Sequence, residues 1–271
     1  MHKGEGKPFL EVLASAINED YRFPILEIFV FLYALGTFAL ASFVGALSTT
    51  GVSNEAVAYS LTASVLGTPL FVFLILVFKN LAYGFGSDIE KGIIQTYLSY
   101  PLRRHQILSA KLLSAVGLSL LILLSIQIPA LYLLAPDVIA GFFGTVLLTY
   151  AASLSPVLFI SGIILLATLF IRRGGLSLVF GIILYFALSI VSSIMTFMAF
   201  ATKSAVPLKV ISIFYPNTVL NLFYHMQFLP GMEQVWTPTF LEVALYLGAS
   251  YTITAFVFSL SYIYFCRRFN A

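Results

Sequence analysis

Long apolar runs alternate with short polar stretches along nearly the whole chain. The runs that predict membrane-spanning helices lie at 23–47, 57–78, 107–134, 139–171, 176–200 and 240–266. Each run meets or exceeds the roughly 20 apolar residues that a helix needs to cross a bilayer. The pattern predicts an all-α integral membrane protein with six transmembrane helices. No internal repeat divides the chain, so residues 1–271 are expected to form a single transmembrane domain.

Two of the predicted spans contain residues that disturb regular helix geometry. Pro156 lies near the middle of the fourth run, where a proline removes a backbone hydrogen bond. A kink or a break is therefore expected there. Gln127 and Pro129 mark a second expected irregularity, in the third run.

The segment 8–20 combines an apolar and a polar face. Phe9, Leu13 and Ile17 recur at helical spacing, and acidic and amide side chains lie between them. This pattern predicts an amphipathic helix that lies flat in the headgroup region before the first span. A frayed, partly helical tail is the alternative.

The polar stretch between the second and third runs also predicts a short helix. Ser87 and Glu90 have the S-x-x-E spacing of a capping box, which marks a helix start. Apolar residues then recur at helical spacing until Pro101, before which a helix is expected to end. The segment 88–100 is thus expected to form an amphipathic helix of about three turns.

The predicted outer loop between the fifth and sixth spans, residues 201–239, is long and too apolar for a free solvent loop. Four prolines divide it into short pieces. The piece 216–228 is expected to form a helix with Val219, Leu220 and Phe223 buried. This loop is either an outer gate packed on the spans or a structured loop with no role in gating.

Composition supports the membrane interpretation and limits the possible chemistry. Hydrophobic residues make up 60% of the chain and charged residues 9%, against about 25% charged residues in a typical soluble domain. The single cysteine, Cys266, excludes an internal disulfide, and the three histidines lack metal-ligand spacing. No glycine-rich phosphate-binding loop occurs, so no cofactor is expected in this chain itself.

Lysine and arginine are distributed unevenly between the two predicted sides of the membrane. Of the 14 basic residues, only Lys203 and Lys209 lie on the predicted outer side. Cytoplasmic segments carry an excess of basic residues. The asymmetry places both termini, the 79–106 loop and the Arg172–Arg173 turn in the cytoplasm of a multi-pass cell-membrane protein.

Charged residues within the spans are rare, which argues against several functional classes. Glu27 and Glu242 lie near span ends, where their side chains can reach the interface. The spans contain no acidic or histidine relay typical of a proton-coupled carrier and no charged ring typical of a channel. His225 lies in a loop, and the sequence does not indicate a catalytic Ser–His pair, so catalytic and metal sites are not expected.

The segment 90–111, EKGIIQTYLSYPLRRHQILSAK, resembles the signature region of type-2 ABC transporter permeases. In that family the segment carries an acidic residue, a Gly-Thr-Leu, a leucine pair, a proline, an arginine and a Gly-Lys at this spacing. The matching positions are Glu90, Gly92, Leu98, Pro101, Arg104 and Lys111.

Four positions of this segment depart from the family pattern. Ile93–Ile94 replaces the Thr-Leu, Tyr97 replaces the first leucine, and Ala110 replaces the glycine before the lysine. The departures leave the subfamily open. The six-span layout, the amino-terminal amphipathic helix and the long last outer loop extend the similarity across nearly the whole chain.

The resemblance implies the permease subunit of an ATP-driven transporter, expected to export a small or amphipathic substrate. A separate ABC ATPase subunit would bind ATP, and a second permease, identical or different, would complete the substrate route between facing first, second and fifth spans. No nucleic-acid partner is expected. In the family, a cytoplasmic coupling helix between spans two and three docks on the ATPase. Residues expected to contact or orient the ATPase are Glu90, Lys91, Gly92, Gln95, Leu98, Pro101, Arg103, Arg104 and Lys111.

Two other functions stay open at this point. The chain could be a non-transporting membrane scaffold or assembly factor. It could also be the substrate-capture subunit of a small-molecule importer, although such subunits need no capped helix between the second and third spans. For the segment 88–100, the alternative to a coupling helix is an interfacial helix that only anchors its loop.

Overall fold

The computed structural model describes residues 6–44, 53–99, 103–225, 234–267 and 269. These residues form helices and connecting turns, and no strand is present among them. Within this part of the chain, five helical stretches are long and apolar enough to cross a membrane: Asn54–Glu90, Arg104–Leu134, Phe143–Ile171, Gly174–Thr202 and Phe240–Arg267. A sixth is counted if Phe9–Asp20 and Ile25–Ala39, which are bent by 66°, are taken as one span. The chain is therefore an all-α, multi-pass membrane protein.

The helices follow one another with short connections. Their bounds are α1 Gly6–Asp20, α2 Ile25–Val44, α3 Asn54–Phe78, α4 Gly86–Glu90, α5 Ile93–Ser99, α6 Arg104–Leu112, α7 Ser119–Leu134, α8 Pro136–Gly141, α9 Phe143–Ile171, α10 Gly174–Thr202, α11 Val206–Ser212, α12 Asn217–Phe223 and α13 Phe240–Arg267. The first π-helix, Lys79–Phe85, joins α3 to α4, and the second, Leu113–Leu118, joins α6 to α7. Short π-helical turns within α-helices are frequent at functional sites.

The helices pack around α3 and α9. α3 contacts α2, α7 and α9, and α9 also contacts α10 and α13. The main apolar core forms along these contacts and includes the fully buried side chains of Tyr33, Phe73 and Phe265. α10 lies at the edge of the bundle, as the exposure of bulky side chains such as Ile183 and Phe197 shows.

With α2 counted as the first long helix, the second is Asn54–Glu90 and the third is Arg104–Leu134. The second long helix extends further than the sequence indicated. The predicted run 57–78 continues as a helix to Glu90, since the first π-helix and α4 prolong α3. Ser87 consequently lies inside a helix, and the predicted Ser87–Glu90 capping box is wrong. The helix ends at Glu90, and two residues later Gly92 has a φ of 73°, a left-handed conformation that glycine adopts at no steric cost.

Proline does not break the spans where a break was expected. α9 continues through Pro156, and α7 continues through Gln127 and Pro129. Within a helix bundle, neighbouring helices and hydroxyl side chains can satisfy the carbonyl that a proline leaves free. The fourth run is instead divided at Phe142, between α8 and α9, and the irregularity in the third run is the second π-helix.

α1 confirms a helix at 8–20, but its buried face differs from the predicted one. Its buried apolar side chains are Val12 and Ala16, whereas Phe9, Leu13 and Ile17 are half-buried. The face shifts because α1 packs on α6 and the second π-helix.

The loop that follows α10 contains the two short helices α11 and α12. Val219 and Leu220 of α12 are buried, as predicted, whereas Phe223 is only half-buried and Leu222 takes the buried position. The predicted helix 216–228 is present as Asn217–Phe223, and residues 226–233 lie outside the described part of the chain. α12 packs on α9 and α13, so the described part of this loop covers one end of the bundle.

Candidate functional site

The candidate site lies between the second and third long helices. It consists of the Lys91–Gly92 turn, α5 and the start of α6. It belongs to the basic end of the bundle, the end where α4, α9 and α13 finish and α6 and α10 begin. The basic residues near these helix ends are Lys79, Lys91, Arg103, Arg104, Arg172, Arg173 and Arg267.

α5 has one face in the core and one face outside it. Ile94 is fully buried in the main core, and Tyr97 and Leu98 are packed against that core. Lys91 and Gln95 are exposed, and Ile93 is 37% exposed. The expected helix is thus present but begins at Ile93 and has seven residues, which is about two turns instead of three.

Glu90 connects the candidate site to α10. Its Oε2 accepts a hydrogen bond from the N–H of Gly174, at 3.2 Å. A carboxylate is favourable at a helix start, because the first N–H groups lack partners within the helix. The backbones also touch here, since a Cβ added to Gly174 would lie 2.8 Å from the carbonyl oxygen of Tyr83. The end of the second long helix is therefore packed directly on the start of α10.

The two arginines that begin α6 have different surroundings. Arg103 is exposed, and its backbone N–H donates to Oε1 of Gln106 at 3.0 Å, which caps α6. Arg104 donates from Nη1 to the carbonyl oxygen of Phe269 at 2.8 Å, so it holds the residues after α13 against α6. Pro101 lies outside the described residues.

Lys111 is buried inside the protein. Its Nζ lies 2.6 Å from Oδ2 of Asp88 and 2.9 Å from Oε2 of Glu19. The side chains of Lys111 and Asp88 are 5% and 3% exposed, whereas Glu19 is 47% exposed. The charge of Lys111 is thus used within the chain, where it joins α6 to α4 and to α1.

A second set of polar contacts lies beside this ion pair. Ser114 donates from Oγ to Oδ2 of Asp20 at 2.5 Å, and Lys79 donates from Nζ to the Asp20 carbonyl oxygen at 2.7 Å. Tyr21 OH donates to the Ser114 carbonyl oxygen at 2.9 Å. Asp20 ends α1, and its burial raises its pKa from 3.8 to about 6. Both π-helices contribute to these contacts, through Lys79 and Ser114.

These residues form one group, the basic-end cluster, defined as Glu19, Asp20, Lys79, Asp88, Lys111 and Ser114. Of these six residues, only Lys111 was among the site residues expected from the sequence. The sequence does contain a signal for the Asp88–Lys111 pair. Both residues lie at the ends of apolar helices, and a charge that is buried there needs an opposite charge as its partner.

The site is defined by its connections between helices. In the described part of the chain, no three His, Cys, Asp or Glu side chains are placed to hold a metal ion. What the site provides is a short helix fixed by Ile94 and joined through Glu90 and Lys111 to three long helices.

No family model matches the chain, and no curated protein matches it with significant similarity.

Proposed function

We propose that the chain is the permease subunit of an ATP-driven transporter similar to the type-2 ABC exporters. In this proposal α2 is the first of six crossings, α1 lies flat in the headgroup region, and both termini are cytoplasmic. A separate ABC ATPase binds at the basic end, and a second permease faces this one in the cell membrane. The exported substrate is small or amphipathic.

The observation that supports the proposal is the position of α5. A force applied to its exposed face reaches α4 through the Lys91–Gly92 turn and α10 through the Glu90–Gly174 hydrogen bond. It reaches α6 through the Asp88–Lys111 ion pair. Three membrane-spanning helices therefore respond to one contact outside the membrane, which is what an ATPase without a membrane domain requires.

The distribution of charge supports the proposed orientation. The basic end carries most of the lysine and arginine residues, whereas Lys203 and Lys209 lie at the opposite end, at the end of α10 and in α11. Basic residues favour the cytoplasmic side. An ATPase would therefore meet α5 in the compartment that supplies ATP.

The exposed faces of α2 and α10 support a paired permease and an apolar route. Phe31 and Leu35 of α2 and Ile183 and Phe186 of α10 are exposed. An apolar cleft of about 360 Å³ lies between α3 and α10, lined by side chains that include Phe78 and Phe186. Its lining suits the acyl or aromatic part of an amphipathic substrate.

Replacing Ile93 with aspartate is expected to reduce at least tenfold the amount of ABC ATPase that copurifies with the detergent-solubilised protein. The new carboxylate would be buried without a partner at the docking surface, and a tenfold loss corresponds to about 1.4 kcal/mol. Copurified ATPase is identified and quantified by mass spectrometry. A neighbouring gene that encodes an ATPase with a phosphate-binding loop supplies the candidate partner.

The matched control is Ala140→Asp, which adds the same charge to an exposed residue of α8 at the opposite end. It should leave copurification unchanged. Docking through α5 would be contradicted if both variants lost copurified ATPase equally, or if neither variant lost any. Failure of the unmodified protein to retain any ABC ATPase would contradict the transporter proposal and favour a scaffold or a substrate-capture subunit.

A further inference from the structure

A cavity of about 680 Å³ lies where α1 meets α2. Ligand sites for small molecules typically measure about 300–1,000 Å³. α1 and the segment after it contribute Asn18 and Arg22, α2 contributes Leu26, and the third long helix contributes Leu118 and Ile122. The cavity thus joins three elements that meet beside the basic-end cluster.

The lining of this cavity is polar on one side and apolar on the other. Asn18 and Arg22 are exposed, whereas Ile122 is buried and Leu26 and Leu118 are half-buried. Arg22 lies between the amphipathic helix α1 and the apolar helix α2. A basic residue at such a junction lies at the depth of lipid phosphates, with acyl chains beginning on its apolar side.

The guanidinium of Arg22 is available to an anion. The two carboxylates that precede it are engaged elsewhere, because Glu19 pairs with Lys111 and Asp20 accepts a hydrogen bond from Ser114. Among the described residues, no carboxylate forms an ion pair with Arg22. A guanidinium offers five donors in a planar fork that matches phosphate oxygens.

We propose that this cavity binds one anionic glycerophospholipid, with its phosphate on Arg22 and an acyl chain against Leu118 and Ile122. The bound lipid would brace α1 and α2 against the second π-helix. That π-helix also supplies Ser114 to the basic-end cluster, so the lipid would stabilise the surroundings of the candidate site. The proposal does not depend on whether the chain transports a substrate.

The test is native mass spectrometry of the full chain in detergent, titrated with phosphatidylglycerol or with phosphatidylcholine of the same acyl chains. One basic residue near the membrane surface contributes about 1 kcal/mol of attraction to anionic lipid, which is about a fivefold difference in affinity. The unmodified protein should therefore retain phosphatidylglycerol about fivefold more tightly. Arg22→Gln should remove that preference.

Two further variants separate the headgroup from the tail. Arg173→Gln removes an exposed charge elsewhere at the basic end and should keep the preference. Leu118→Trp fills the apolar side of the cavity and should weaken the binding of both lipids. Equal affinities for the two lipids, or a preference that survives Arg22→Gln, would overturn the proposal. Displacement of phosphatidylglycerol by an equal concentration of inorganic phosphate would overturn it too, because it would identify a simple anion site.

Discussion

Replacing Lys111 with methionine is expected to lower the free energy of unfolding by about 3–5 kcal/mol. The ammonium of Lys111 lies 2.6 Å from the Asp88 carboxylate, and both side chains are almost fully buried. Without Lys111, the Asp88 carboxylate stays in a buried environment with no opposite charge, and that uncompensated charge is the main cost. The measurement is reversible unfolding in mixed detergent micelles, followed by circular dichroism.

Two variants show whether the loss comes from the unpaired charge. Lys91→Met removes a similar but exposed lysine and should change the stability by no more than about 0.5 kcal/mol. The double variant Lys111→Met with Asp88→Leu removes both buried charges and should recover much of the loss, since apolar replacement of a whole buried pair is often neutral. A Lys111→Met protein as stable as the unmodified one would contradict the buried ion pair.

Replacing Gly174 with alanine is expected to destabilise the protein by about 1–3 kcal/mol. The added Cβ would lie 2.8 Å from the carbonyl oxygen of Tyr83 and 2.9 Å from the backbone nitrogen of Ser87. Both contacts are backbone atoms, so no side-chain rotation can relieve them. α10 would have to move away from the first π-helix and α4, which would weaken the Glu90 hydrogen bond as well.

The next residue, Gly175, provides the matched control. A Cβ added to Gly175 has no heavy atom within 4 Å. Gly175→Ala should therefore stabilise the protein by about 0.4–1 kcal/mol, because alanine reduces the freedom of the unfolded chain. Thermal unfolding of the two variants in the same detergent distinguishes them. Equal effects of the two substitutions would contradict the close backbone contact between α4 and α10.

The spanning helices were predictable because a bilayer requires long apolar runs. The predicted runs 176–200 and 240–266 correspond closely to α10, Gly174–Thr202, and to α13, Phe240–Arg267. The end of the second span was less predictable. Asn80, Ser87 and Asp88 look like loop residues, yet they are helical because the first π-helix and α4 prolong α3. Of the three, Asp88 is buried and has the Lys111 ammonium as its partner.

Capping patterns show why local signals alone are ambiguous. Ser87 and Glu90 have the spacing of a capping box, but the helix already runs through Ser87. Thr239 and Glu242 have the same spacing and do form a capping box at the start of α13. The Thr239 N–H donates to Oε2 of Glu242 at 2.9 Å. The difference lies in the conformation of the preceding residues, which spacing does not reveal.

The short helix of the candidate site was predictable in position, but its contacts with the rest of the chain were not. The stretch between the second and third long helices was identified from its polar residues and turn signals, and a short helix is present there. The contact between Lys111 and Glu19 joins residues 92 positions apart, and the contact between Glu90 and Gly174 joins residues 84 positions apart. Such contacts depend on how the helices pack, and no local pattern encodes them.

The most direct test of docking through α5 is a photo-crosslinking amino acid placed at Gln95, an exposed residue of that helix, in intact cells. If α5 engages an ATPase, mass spectrometry will identify an adduct with an ABC ATPase from position 95 and none from the same amino acid at Ala140. An adduct with that ATPase from position 140, or none from position 95, would contradict the proposed coupling.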